Sequence, residues 1–219
     1  MINWQQVETV FLDMDGTLLD LYFDNYFWQE FVPTQYAEEK GITHQKAHEI
    51  LADKYKSVEG TMDWYCVDYW TEQLGLDIEG LKREVSHYIA VHPHVHDFLK
   101  ELGASGRHLF LVTNAHQKSL SLKMEKTELG GYFDQIICSH DYGIPKDDPS
   151  FWGALREKFH FNPEKTLLVE DSLSVLHSAK TYGIGHLLAI TRPDSRQDER
   201  VIDEFPAVAS FEGFVIQED

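Results

Sequence analysis

Five short apolar runs, with polar turns and stretches of helical spacing between them, constrain this chain more than any other feature. The runs are Val7 to Leu12, His108 to Val112, Gln135 to Cys138, Thr166 to Val169 and His186 to Ile190. They have strand length, and four are apolar at consecutive positions, the pattern of strands buried on both faces. Between them, Val95 to Leu102, Gln117 to Leu129, Pro149 to Phe159 and Leu173 to Tyr182 read as helices. Gly103, Gly106 and the Gly130-Gly131 pair provide stop signals. Strand and helix in alternation predict an α/β fold: a three-layer, Rossmann-like parallel sheet covered on both faces.

One stretch breaks the alternation. Residues 21–91 contain no clear strand pattern. Phe27 to Lys40, Thr43 to Lys56, Met62 to Leu74 and Ile78 to Tyr88 read as four helices, with Thr43 as an N-cap and Gly41, Gly60 and Gly75 as punctuation. A connection this long is organised or functional. The expectation is a catalytic core of residues 1–20 and 92–219 and a four-helix cap of residues 21–91. The alternative is that these helices pack as part of one larger domain.

The 219 residues are 42% hydrophobic, enough to fill a core, and the net charge is −18. A surface this acidic repels nucleic acid and anionic membrane. No run approaches the roughly 18 apolar residues of a membrane helix. The N-terminus lacks the basic and apolar regions of a signal peptide. Cys66 and Cys138 form no motif and read as two buried thiols of a reducing compartment, which makes the cytoplasm the expected location. An anionic ligand would require local charge reversal, by a bound cation and a well-placed lysine.

The ends of the strands carry groups suited to that task, and open parallel sheets bind ligands there. The first strand ends in Asp13-Met14-Asp15-Gly16-Thr17. Residues two apart on extended backbone share a side, so both carboxylates can face one pocket. Gly16 permits a sharp turn and close backbone approach. The second strand ends in Thr113 and Asn114, whose hydroxyl and backbone N–H at a helix start suit a phosphate. The fourth ends in Glu170-Asp171, hard oxygen ligands of the kind Mg²⁺ takes. Lys146 follows the third strand in a loop restricted by Pro145 and Pro149. Thr-Asn, Glu-Asp or one lysine means little alone. Their order along the strands supplies nucleophile, metal ligands and anion ligands together.

On the residues Asp13-Met14-Asp15-Gly16-Thr17-Leu18, Thr113-Asn114-Ala115, Lys146 and Glu170-Asp171-Ser172, the chain resembles the haloacid dehalogenase superfamily, specifically its phosphatases with a helical cap. The segments Phe23 to Trp28 and Trp64 to Cys66 look like bacterial purine 5′-nucleotidases acting on GMP and IMP. The resemblance implies an Mg²⁺-dependent phosphomonoester hydrolase working through an aspartyl phosphate. Asp13 is then the nucleophile and Asp15 the general acid and base. Thr113, Asn114 and Lys146 bind the transferring phosphate. Asp13, Asp15 through its carbonyl, Asp171 and Glu170 surround the metal. One departure stands out: many relatives carry an acid four positions beyond Asp171, where this chain has Val175, and Glu170 is expected to compensate.

Substrate choice is expected from the cap, where Phe23, Tyr26, Trp28, Trp64, Tyr65, Tyr69 and Trp70 could stack a purine, with Asp24 or Asn25 as polar contacts. Equally, such aromatics serve as the cap's own core. His92, His94 and His96 alternate like a metal site, although Pro93 and the following helix start also explain them. Residues 194–204 read as a solvated acidic connection. The expected partner is a small phosphate ester, a purine nucleoside monophosphate, with neither nucleic acid nor membrane. Two alternatives remain open: a sugar-phosphate phosphatase or β-phosphoglucomutase-like mutase, and a non-catalytic binding protein on the same scaffold.

Overall fold

The computed structural model describes residues 2–214 and 216. Six parallel strands form one sheet: β1 (Thr9–Leu12), β2 (His108–Thr113), β3 (Gln135–Cys138), β4 (Thr166–Glu170), β5 (His186–Ile190) and β6 (Ala207–Val208), in the spatial order β3-β2-β1-β4-β5-β6. The five expected strands are present. β6, only two residues long, is too short to carry a sequence pattern. The order reverses on either side of β1, so the crevice at its carboxyl end is the place where such sheets bind ligands. Leu12 pairs with both Leu111 and Val169. That register delivers Asp13, Thr113 and Glu170 to one edge.

Alternation along the strands divides two cores. Val10, Leu12, Leu109, Leu111, Leu167 and Val169 face one way, against Val95, Phe98 and Leu102 of α7 (Val95–Ala104) and Leu120 of α8 (Gln117–Thr127). Phe11, Phe110, Val112 and Leu168 face the other, against Trp152 and Leu155 of α9 (Pro149–Phe159) and Val175 and Leu176 of α10 (Leu173–Tyr182). Helix α8 stops earlier than its glycines suggest. Glu128 takes the left-handed cap at φ 56°, and Gly130 and Gly131 belong to a 3₁₀ turn.

The regular elements between β1 and α7 are all helical, with boundaries that differ from the expected ones. α1 (Tyr22–Tyr26) runs through a π turn (Phe27–Phe31) into α2 (Val32–Lys40), so the first helix begins five residues early. Pro33 explains the widened turn: it has no N–H to donate and crowds the carbonyl four residues back. α3 spans His44–Val58, with Thr43 Oγ1 accepting from Lys46 N at 3.3 Å. The expected third helix breaks at Cys66 into α4 (Met62–Tyr65) and α5 (Val67–Leu74). α6 (Ile78–Glu84) ends before a 3₁₀ turn at Ser86–Tyr88. These helices bury a third apolar cluster of their own, including Phe23, Phe27, Leu51, Trp70, Leu74 and Ile78. Among the described residues no helix is long and apolar enough to cross a membrane.

Trp152 is fully buried between sheet and helix, and its Nε1 donates to Ser178 Oγ at 3.0 Å. Trp152→Ala is expected to cost about 3–5 kcal/mol through cavity formation, a fall in Tm on the order of 10 °C by scanning calorimetry. An unchanged Tm would contradict this packing.

Candidate active site

Lys146 organises the crevice. It is 1% exposed, and its Nζ donates to Asp13 Oδ1 at 2.5 Å, Glu170 Oε2 at 2.7 Å and the Val112 carbonyl at 2.9 Å. These contacts use all three ammonium protons. The loop that carries Lys146 is pinned by Asn114, whose Oδ1 accepts from Lys146 N at 2.9 Å and whose Nδ2 donates to Asp147 Oδ2 at 3.0 Å. Glu170 uses its second oxygen on Ser172 N at 3.1 Å. Thr113 Oγ1 accepts from Ala115 N at 3.0 Å. Gly16 stands at φ +83°, and a Cβ there would lie 2.7 Å from Asp171 Cγ, so both the turn and the approach to Asp171 demand glycine.

Ligand oxygens of Asp13, Glu170 and Asp171 lie within 4.8 Å of one another. Burial, then the neighbouring Glu170 charge, pushes the Asp13 carboxyl up to about 7. Burial and Asp13 push Asp171 up to about 7. Burial also raises Glu170 to about 7, against the pull of Lys146. For Lys146 itself, burial disfavours the ammonium, but Asp13 and Glu170 outweigh it and hold the proton firmly. Arg200, 3.5 Å from Asp171 Oδ2, adds a cation at the rim. Three carboxylates still outnumber these two cations. A compact set of hard oxygens with surplus negative charge fits a divalent cation such as Mg²⁺.

These raised acids set a sign for pH. Their folded values lie above the ordinary carboxylate value, so the metal-free fold loses their contribution as pH rises from about 4 to about 7. A cation requires the deprotonated form. Adding Mg²⁺ is therefore expected to raise Tm more at about pH 8 than at about pH 6. Equal shifts in thermal-shift measurements at both values would contradict the assignment.

Asp15 turns to a second set of charges. Lys123 Nζ donates to Asp15 Oδ1 and to Asp24 Oδ2, both at 2.6 Å, and Lys82 Nζ donates to Asp24 Oδ1 at 3.0 Å. Burial raises the Asp15 carboxyl against the opposing pull of Lys123. For Asp24 the two lysines outweigh burial and lower it to about 2. Neither lysine belongs to a motif. The available signal is helical spacing: Lys123 follows Leu120 by three and Lys82 follows Ile78 by four, placing both on buried faces.

Asp24 and Asn25 line the cavity, as expected of polar contacts, and each is already bonded within the protein. Asp24 is committed to Lys82 and Lys123, and Asn25 Nδ2 donates to Asp194 Oδ2 at 2.7 Å. Asp194 is buried, and Arg200 donates to the Asp171 carbonyl at 2.8 Å, so residues 194–204 are not simply a solvated connection. The aromatics divide. Phe23 and Trp70 are core residues of the helical segment, Tyr26 packs on Tyr22 and Tyr88, and Tyr69 lies against Trp70. Trp28, Tyr55, Trp64, Tyr65 and Trp70 line a cavity of about 510 Å³ reaching down to Asp13, Asp15, Thr113, Lys146 and Asp171. Its size suits a small-molecule ligand. Val175 also lines it.

The alternating histidines do not converge. His92 Nε2 meets the Pro193 carbonyl at 3.0 Å, His96 Nδ1 meets Tyr132 OH at 3.2 Å, and His94 is the left-handed residue before α7. Cys138 is buried, whereas Cys66 is only half-buried, and both are free thiols.

Residues 10–189 match the family model for haloacid dehalogenase-like hydrolases. The chain is 42% identical over 210 residues to the GMP/IMP nucleotidase YrfG of Escherichia coli strain K12, covering 96% of this chain and 95% of that one. It is 24% identical to a phosphorylated carbohydrates phosphatase of Thermotoga maritima, over 93% of each chain. The crystal structure of an HAD phosphatase from Thermococcus onnurineus superposes with a TM-score of 0.79 at 23% identity, covering 95% of this chain and 96% of that one.

Proposed function

The chain belongs to the haloacid dehalogenase-like hydrolases and is a phosphatase; on that premise we propose that it is an Mg²⁺-dependent purine 5′-nucleotidase acting on GMP or IMP through an aspartyl phosphate. The observation that carries the chemistry is Lys146 buried between Asp13 and Glu170 at the floor of an aromatic-walled cavity. The 42% identity to a GMP/IMP nucleotidase over nearly the full chain supports the substrate class.

In this reading an Asp13 carboxylate oxygen attacks phosphorus in line, and the ester oxygen leaves as the phosphoryl group transfers. Asp15 protonates that oxygen, and burial favours the protonated carboxyl this step needs. Deprotonated by the transfer, Asp15 then accepts a proton from the water that attacks the phosphoryl group, and Asp13 is released. Lys146, the Thr113 hydroxyl and the Asn114 N–H stabilise charge on the transferring oxygens. Asp13, Asp171 and the Asp15 carbonyl would hold Mg²⁺, with Glu170 beside them, and the ion would screen repulsion between carboxylate and phosphate. The helical segment of residues 21–91 acts as the cap that closes the cavity and selects the leaving group, with Trp28, Trp64 and Tyr65 as stacking surfaces.

With Mg²⁺, the enzyme is expected to release phosphate from GMP or IMP far faster than from ribose 5-phosphate or other sugar phosphates. Asp13→Asn should abolish turnover, a loss of at least about 10³-fold in kcat, while leaving Tm within a few degrees or raising it. Comparable rates on sugar phosphates would remove the nucleotidase assignment; an active Asp13→Asn enzyme would remove the mechanism.

Base stacking on an aromatic side chain is worth about 1–3 kcal/mol. Trp64→Ala is therefore expected to raise KM for GMP about tenfold or more, with little change for ribose 5-phosphate. A parallel change for both substrates would show that Trp64 serves packing instead.

A further inference from the structure

A second cluster of ligating atoms, separate from the acidic floor, includes the cavity-lining His116. Cys66 Sγ, a His116 ring nitrogen and a His140 ring nitrogen lie within 4.8 Å of one another. They come from three separate places. Cys66 links α4 to α5, and its Sγ accepts from Tyr69 N at 3.4 Å. His116 precedes α8, with Nδ1 accepting from Lys118 N at 3.3 Å, which turns Nε2 toward the cluster and to within 3.7 Å of Asp68 Oδ2. His140 sits in the 3₁₀ turn Ser139–Asp141 after β3.

His140 supplies the most telling detail. Its Nε2 is buried and without a hydrogen-bond partner among the described residues. The Asn114 backbone also lies near the ring. A ring nitrogen with no partner in the protein is free to ligate a metal ion. A buried, unpaired acceptor is otherwise a cost of about 1–3 kcal/mol. Burial also favours the neutral, ligating form of both imidazoles.

We infer that Cys66, His116 and His140 form a binding site for a borderline-soft divalent cation of the zinc type, with Asp68 or water as fourth ligand, which ties the helical segment to the core. Zinc–sulfur and zinc–nitrogen bonds of about 2.3 and 2.1 Å require ligand atoms about 3.5 Å apart, so side-chain shifts of about 1 Å suffice. Ligand softness separates the two sites: a thiolate and imidazoles take zinc or cobalt, whereas the oxygen floor takes magnesium. Cys66 adjoins Tyr65, which lines the cavity and donates to Asp147 Oδ2 at 3.3 Å. A cation bridging Cys66 to His116 and His140 therefore holds the cavity wall against the core and impedes exchange of substrate and product. This inhibition rests on the phosphatase reading; metal binding itself does not.

The test uses the full-length protein in excess Mg²⁺. Added Co²⁺ is expected to produce a near-ultraviolet thiolate-to-cobalt charge-transfer band saturating at one equivalent. Cys66→Ser, whose hydroxyl can still cap α5, and His140→Ala should each abolish it. The magnesium floor contains no sulfur, and loss of the band in Cys66→Ser distinguishes this cluster from the buried thiol of Cys138. Zn²⁺ should inhibit the wild-type enzyme, and Cys66→Ser should be at least about tenfold less sensitive, with unchanged turnover in zinc-free buffer. Absence of the band, or its persistence in Cys66→Ser, overturns the site. A normal band with equal zinc inhibition in both proteins overturns its control of turnover.

Discussion

Burying the Lys146 ammonium is the constraint around which the crevice is built. An ammonium at 1% exposure needs carboxylate partners, because a buried charge left wholly uncompensated costs about 3–5 kcal/mol. Lys146 therefore requires Asp13 on β1, Glu170 on β4 and the carbonyl of Val112 on β2 at one point. Those three strands are adjacent and parallel, so their carboxyl ends can meet this demand without distorting the sheet. Asn114, by accepting from the Lys146 backbone, fixes the loop that brings the ammonium in.

The rest of the cavity's electrostatics follows from keeping two sets of charges apart. Around Lys146 the acids are in surplus, and burial raises Asp13, Glu170 and Asp171 to about 7. Around Lys123 the charges balance: Asp15 and Asp24 face Lys123 and Lys82. Lys82 also lies 4.4 Å from the Phe27 ring centroid, where the aromatic face helps to offset its lost hydration. Because Asp24 and Lys82 come from the helical segment while Asp15 and Lys123 come from the sheet layers, this network joins the two across the cavity. The crevice therefore carries no net positive charge of its own, and an anionic ester would depend on a bound cation to offset the acids around Lys146.

Much of the site is visible as strand-end chemistry. Asp13, Asp15, Thr113, Asn114, Lys146, Glu170 and Asp171 all lie at the cavity, and each follows an apolar run whose end can be read directly. Less visible are Lys82, Lys123, His116 and His140, because each lies on or beside a helix or turn whose partners are distant in the chain. Asp24 illustrates the limit. Its position beside aromatics suggests ligand contact, yet two lysines that arrive 58 and 99 residues later occupy both its oxygens. The π turn at Phe27–Phe31 and the break at Cys66 are local, but their cause combines Pro33 and a capping thiol with packing on the helical cluster.

By itself the amino-acid sequence determined the alternation of strand and helix, hence the parallel sheet, and the residue types delivered to its carboxyl edge, because both depend on periodicity and on short-range turn chemistry. Tertiary structure alone decided which carboxylate pairs with which lysine, which aromatics line the cavity rather than fill the helical core, and which ring nitrogen of His140 is left without a partner. Those outcomes depend on distances between residues far apart in the chain, and burial makes each one consequential: where water is excluded, a charge or polar atom without a counterpart is costly.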